Sequence, residues 1–251
     1  MRKKYELVKE DDFIKKEDGL KLYRIRALKD FGVIKKGDLG GYIEKEENLS
    51  HGGNCWVYNN AEVYNNAEVY GNAKVYDNVR VYDNAKVYDN AIVFTNAIVY
   101  GDAKVYDYVR VYDNAVIYGG TKVFGNARIY GNAKIYDNAI IYCSANVYGD
   151  ACIHGNAKIG KYAYVCCNTN ISLNALIEST DDYACIGGFG SKNRFSTFYR
   201  CVDGSVRVNC GCFYGTLDEF REQVRKTRKG YIAEEYLMIA DLMEKRFKNR
   251  G

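Results

Sequence analysis

From Val57 to Ile177 the chain places an aliphatic residue at every sixth position, in the words NNAEVY, NNAEVY, GNAKVY, DNVRVY, DNAKVY and onward. Twenty-one consecutive positions, from Val57, Val63 and Val69 through Ile171 and Ile177, keep this period without an insertion. Two residues before each stands a small one, such as Cys55, Ala61, Ala67, Ala73, Thr121, Ala157 and Thr169; only Val79 and Val109 are larger. Residues two apart on a strand point to the same side, so the small–aliphatic pair predicts a tight interior face. The Asn, Asp or Gly residues three before and two after the aliphatic position tolerate turn and left-handed backbone. Six residues therefore make a short strand and a bend. Three bends close a triangle, and successive coils pair as parallel strands about 4.8 Å apart.

Carried from Cys55 to Ile177, this pattern resembles the hexapeptide-repeat, left-handed parallel β-helix family, whose consensus places a small residue two before an aliphatic one. The expectation is a mainly β protein: a left-handed parallel β-helix of about seven coils, roughly 34 Å long, over residues 51–178. A small N-terminal β cap (1–50) and a C-terminal α+β domain (179–251) flank it. The resemblance implies a homotrimer, with prisms side by side around a three-fold axis. The position after the aliphatic one is aromatic in all sixteen copies from Tyr58 to Tyr148, fourteen of them Tyr, with Phe94 and Phe124; His154, Gly160 and Cys166 end the series. Alternation turns this position outward, which predicts ladders of stacked rings.

The ends depart from the repeat. A solenoid must hide its terminal coil, because an open strand edge invites polymerisation. Leu20–Leu28 alternates as a strand and 36–42 reads as a turn into the solenoid, which suits a cap. The other end is richer. Ala184–Arg194 reads as a glycine-rich turn, and Phe195–Cys201 and Ser205–Cys210 as strands joined by Asp203-Gly204, a hairpin signal. Thr216-Leu-Asp-Glu219 is a capping box opening one helix; a second, over Ala233–Phe247, sets Tyr236, Ile239, Met243 and Phe247 on one face.

Composition narrows the function. The 251 residues carry 36 basic and 32 acidic side chains, net +4, too even for a protein built to neutralise DNA phosphates. No run of 18 apolar residues exists, so no membrane role is expected. Nine irregularly spaced cysteines fit reduced thiols, which with the charged N-terminus points to the cytoplasm.

Many proteins of the resembled fold are acyl-CoA-dependent transferases, which implies a histidine as general base. The two histidines here, His51 and His154, are the catalytic candidates on that reading, but the unbroken register expels no loop to shape a pocket. A carbonic anhydrase of this fold needs three histidine ligands to zinc, and two do not suffice. Cys185, Cys201, Cys210 and Cys212 lack the spacing of a zinc knuckle, so no metal and no cofactor is expected. Gly188, Gly190, Ser191, Lys192, Asn193 and Arg194 could cradle an anion, with Arg200 and Arg207 on paired strands as further forks. Tyr199 and Phe213 offer stacking faces to a nucleotide-like ligand.

The layout, with its Asn-Ala-x-Val-Tyr solenoid and a tail of the Gly-Ser-x-Asn-Arg…Cys-Gly-Cys-Phe kind, resembles hexapeptide-repeat proteins encoded by phages and prophages. That resemblance implies an accessory viral protein. The expected function is non-enzymatic: a homotrimeric sponge in the cytoplasm of a bacterial host that sequesters a small anionic, nucleotide-like ligand of the host-defence signal kind in inter-subunit pockets of the C-terminal domain. The alternatives are an acyl-CoA-dependent acyltransferase and a structural or protein-binding scaffold.

Overall fold

The computed structural model describes residues 3–190 and 194–249. Three strands, β1 (Tyr5–Lys15), β2 (Lys21–Ala27) and β3 (Leu39–Ile43), precede twenty-one two-residue strands, β4 to β24, which run from Trp56–Val57 to Leu176–Ile177. These distribute in turn over three parallel sheets, each strand pairing with the one eighteen residues away, as Val93 pairs with Val75 and Val111. The small and aliphatic positions point inward and are buried throughout the spine, Val79 and Val109 included.

Each corner follows from its residue type. The residue two after the aliphatic position takes a left-handed conformation, as at Asn65 (φ 56°), Asp83 (φ 57°) and Gly101 (φ 69°). Aspartates do more there than tolerate the bend. Asp77, Asp83, Asp107, Asp113 and Asp137 each accept the backbone N–H of the residue eighteen further on, at 2.9–3.3 Å, satisfying a donor that the corner leaves out of the ladder. Beside them, asparagine amides chain from coil to coil, Asn78 to Asn96 to Asn114 to Asn132 to Asp150. Outside each sheet the tyrosines stack as expected, Tyr100 on Tyr118 at 4.9 Å and 3° between planes. At the end of one ladder Gly160 is required, since a Cβ there would lie 2.0 Å from the Tyr142 ring.

The solenoid begins earlier than the repeat. β3 already pairs in parallel with Glu62–Val63, and Leu49 bridges to Val69, so residues 42–57 form a first, irregular coil. Ile43 and Leu49 keep the six-residue step, but the next aliphatic position, Val57, comes two residues late, after the His51–Asn54 turn, and the period is lost to inspection. β1 and β2 pair antiparallel and continue the same sheet. Tyr5 closes the opening from above, fully buried, its hydroxyl donating to the Leu49 carbonyl at 2.7 Å. Buried Lys4 donates to the Cys55 carbonyl at 2.9 Å, with its ammonium 3.3 Å from the Cys55 sulfur.

At the far end β25 (Tyr183–Phe189), β26 (Arg194–Arg200), β27 (Val206–Cys210) and β28 (Phe213–Thr216) form an antiparallel meander, followed by α1 (Leu217–Thr227) and α2 (Gly230–Lys248). The expected glycine turn at 184–194 is thus mostly strand. A register shift between Ile186 and Phe189 absorbs its glycines, and Gly187 is needed because a Cβ would meet the Phe195 ring at 2.5 Å. The capping box of α1 is present: Thr216 Oγ1 accepts from the Glu219 N–H at 3.2 Å while Glu219 accepts from the Thr216 N–H at 2.7 Å. Among the described residues no helix is long and apolar enough to cross a membrane.

Candidate functional site

The C-terminal sheet has two faces with different duties, and strand alternation decides which side chain serves which. On one face Tyr183, Thr197 and Tyr199 settle on the last coil. Tyr199 is fully buried with its hydroxyl 2.9 Å from Ser172 Oγ, and Thr197 Oγ1 accepts the Asn170 N–H at 2.9 Å. Burial pushes the Tyr199 phenol well above its ordinary range. On the other face Phe198 and Val208 join Phe220, Val224, Tyr236, Ala240 and Met243 of the helices in a second apolar core.

Where this second core meets the open end of the meander lies a cleft of about 450 Å³, within the size range of small-ligand sites. Its walls are Phe213, Phe220 and Tyr236, and Arg194, Gln223 and Arg228 stand around it. Arg194 and Arg228 come from β26 and from the C-terminal cap of α1, and among the described residues neither pairs with a carboxylate. The Arg194 guanidinium lies over Gly211, whose absent Cβ would sit 2.6 Å from it. Gly190 packs against the Tyr236 hydroxyl, outside the lining of the cleft. It holds φ +69°, a Cβ on it would lie 2.2 Å from the Tyr236 hydroxyl, and its N–H donates to Glu235 Oε2 at 2.7 Å. Arg194 also borders a second notch of about 430 Å³ with Asn168, Asn170, Thr197 and Asn209.

The structure therefore gathers only part of the set expected from sequence. Arg194 and Phe213 line the cleft, while Gly190 lies against Tyr236 without lining it. Gly188 is exposed at the bulge with open space beside it, and Ser191, Lys192 and Asn193 lie outside the described residues. Tyr199 belongs to the plug of the solenoid instead, because it is odd-numbered on a strand whose even residues face the helices. Arg200 shares Arg194's face but sits at the other end of β26, where it donates to the Phe247 carbonyl at 2.6 Å and approaches Asp182 at 3.4 Å. Arg207 is on the solenoid side, 3.9 Å from Asp203. Arg228, Gln223 and Tyr236 were not singled out for the site by sequence. Their only signal was helical position, since a helix returning over a sheet edge brings its end residues to that edge.

Both histidines are committed elsewhere. His154 is the last rung of a ladder, stacked on Tyr136 at 4.8 Å and 2°, with Nε2 2.8 Å from Asn170 Oδ1 and Nδ1 3.8 Å from Asp137. His51 stacks on Tyr5 at 4.4 Å; its Nδ1 accepts the Lys4 N–H at 3.2 Å, which assigns the proton to Nε2, facing Glu46 at 3.4 Å. The His51 lone pair is taken by the Lys4 N–H, and the Asn170 contact puts the His154 proton on Nε2, leaving its Nδ1 toward the Asp137 carboxylate. A larger hollow of about 870 Å³ does lie beside His51, lined by 45–51 and 66–70. Two of its three carboxylates are already engaged, Glu46 by Lys3 at 2.5 Å and Glu68 by Lys86 at 2.8 Å, and the hydrogen bond from Lys3 holds Glu46 below the usual carboxylate range. We therefore place the candidate site at the smaller C-terminal cleft, where cations are unmatched. The four cysteines weighed for zinc are not assembled: among the described residues no cluster of three or more His, Cys, Asp or Glu side chains could hold a metal ion.

Comparison with known proteins bears on the spine. Residues 85–101 match the model of the YdcK β-solenoid repeat, a stretch within the coils described above. The chain is 40% identical over 62 residues to a protein of Escherichia coli (strain K12) named "Uncharacterized acetyltransferase YdcK", a match that covers 23% of this chain and 19% of that protein. The matched stretch thus spans less than a fifth of the relative's length. What these matches and the coordinates support together is a parallel β-solenoid of the hexapeptide-repeat kind, similar in part of its length to the YdcK solenoid.

Proposed function

We propose that this chain is a stoichiometric binding protein whose C-terminal cleft takes a small anionic ligand with a flat apolar part, of the nucleotide class. The observation that carries the reading is the pair Arg194 and Arg228, unmatched by carboxylates among the described residues, beside the aromatic wall of Phe213 and Tyr236. Guanidinium forks suit phosphate oxygens, and rings beside them suit a base. Sequestration needs neither a general base nor a departing group, which agrees with two histidines already occupied by protein partners. On this reading the solenoid is a rigid spine, three copies assemble by their prism faces, and the setting is a phage or prophage acting on a host signal.

The test is the melting temperature of the full-length protein with ADP, a cyclic dinucleotide and acetyl-CoA as probes. At a hundredfold excess over its dissociation constant a ligand adds about 2.7 kcal/mol. A nucleotide shift that Arg194→Ala and Arg228→Ala each remove supports the cleft; a shift that survives both variants places the ligand elsewhere and ends the proposal.

Acyl transfer is the second reading, favoured by the name of the Escherichia coli relative. It separates cleanly at His154. Replacement by Tyr extends the ring ladder on Tyr136 and leaves a binding protein unaffected, whereas an acyltransferase using His154 as base loses acetyl-CoA turnover by about 10²–10⁴-fold.

A further inference from the structure

Beyond the cleft, at the last corner of one sheet, two adjacent cysteines break the ladder and corner patterns together. Cys166 stands where the preceding copies of that face carry Tyr130 and Tyr148, and Cys167 occupies the left-handed corner at φ +65°. Their sulfurs lie 3.0 Å apart. Cys167 is exposed and Cys166 half-buried. The Tyr183 hydroxyl accepts the Cys166 N–H at 3.3 Å and lies 3.8 Å from its sulfur. Tyr183 is the first residue of β25 and sits, nearly buried, in the joint between spine and C-terminal sheet.

We infer that Cys166 and Cys167 form a peroxide-reactive vicinal dithiol at this joint, with Cys166 as the attacking sulfur and Cys167 as the resolving one. The asymmetry has a physical cause. Burial opposes the Cys166 thiolate, but hydrogen bonds from Cys167, Tyr148 and Tyr183 outweigh it and hold this thiol below its ordinary value. The same Cys166 contact, with burial, pushes Cys167 up to about 11, so the first proton leaves Cys166. The oxidant is a hydroperoxide. The Cys166 thiolate attacks its terminal oxygen, the O–O bond breaks, and the departing alkoxide or hydroxide takes a proton from water, leaving a sulfenic acid. Cys167 then attacks the Cys166 sulfur, the S–O bond breaks, and the hydroxide leaves as water with the proton of Cys167. Two thiols and one hydroperoxide give one disulfide, one alcohol or water, and one further water. Low thiolate pKa, access to solvent and a resolving neighbour are the conditions such reactivity needs.

The experiment treats the reduced full-length protein with one equivalent of hydrogen peroxide, alkylates the remaining thiols, and reads the peptide that follows Lys161 by mass spectrometry. The expected result is loss of two hydrogens across Cys166 and Cys167, reversed by reductant, and retained in Cys185→Ser, which removes the other cysteine of that peptide. Cys166→Ser abolishes it; Cys167→Ser stops at a sulfenic acid that dimedone traps. Before oxidation, Cys166 alkylates about tenfold faster than Cys167 at neutral pH. A disulfide that requires Cys185, or faster oxidation of the exposed Cys143 or Cys212, overturns the assignment. So does a Cys167→Ser protein that shows no trapped sulfenic acid, its fold checked by an unchanged circular dichroism spectrum.

Discussion

The two ends of the solenoid solve one problem with the same kind of residue and then diverge. Each opening is stopped by a fully buried tyrosine whose hydroxyl finds a partner in the outermost coil, Tyr5 at the Leu49 carbonyl and Tyr199 at Ser172. At the N-terminal end the construction stops there. Lys4 and Trp56 complete the closure, and the charged groups nearby, Lys3, Glu46 and His51, are partnered among themselves. The C-terminal sheet carries a second core on its far face, and that core leaves a cleft bordered by two arginines without carboxylate partners among the described residues. Capping needs one face of a sheet. A second worked face is surplus to capping, and that surplus is where a ligand site is to be sought.

The comparison breaks most sharply at the plugs. Tyr5→Ala and Tyr199→Ala each empty a fully buried aromatic site and should cost about 3–5 kcal/mol, read from denaturation midpoints. Tyr5→Ala should leave nucleotide binding at the far cleft intact, while Tyr199→Ala, which unseats the sheet, should weaken it; equal effects on binding would erase the distinction between cap and working end. In the spine between them, Ala103→Leu overfills a fully buried small position and should cost about 1–3 kcal/mol with no change in binding affinity. Beside the cleft, Gly190→Ala meets both a positive φ and the Tyr236 hydroxyl and displaces that wall residue, so binding should fall more than the melting temperature does.

A milder perturbation reaches the whole spine at once. Burial raises the ladder phenols, Tyr64 and Tyr88 to about 12, with neighbouring tyrosine charges adding to the effect. The unfolded phenol ionises near 10. The folded state therefore holds its protons longer, so this contribution is complete below pH about 10 and is lost as pH rises toward 12. Alkaline unfolding followed by phenolate absorbance should be cooperative in that window; gradual ionisation without unfolding would show that the ladders add little. The smallest expected effect is at a corner. Leu173 holds φ +50° with an exposed side chain, and Leu173→Gly should raise stability by up to about 1 kcal/mol in a thermal melt.

Legibility tracked periodicity. Where the chain repeats, one rule at Ala61 and Val63 holds at every coil, and the inward face, the left-handed corners and the ring ladders could all be read from it. Where a step is broken the reading faltered: the two extra residues before Val57 hid the first coil, and β1 went unnoticed because it pairs only with β2. The cleft was legible in part. Arg194 and Phe213 share one face of the meander and could be grouped by composition. Tyr199 and Arg207 are as aromatic and as basic as their neighbours, yet alternation sends them to the opposite face.

The solenoid was thus determined by the sequence itself, because a six-residue period leaves the backbone one way to bury small and aliphatic residues together while pairing every strand. Which arginines meet, which tyrosine plugs, and that Arg228 and Tyr236 enter the cleft at all were decided by tertiary structure. Those contacts depend on where α1 and α2 fold back against the sheet, and no local spacing in the chain encodes the distance between a strand end and a helix that returns to it.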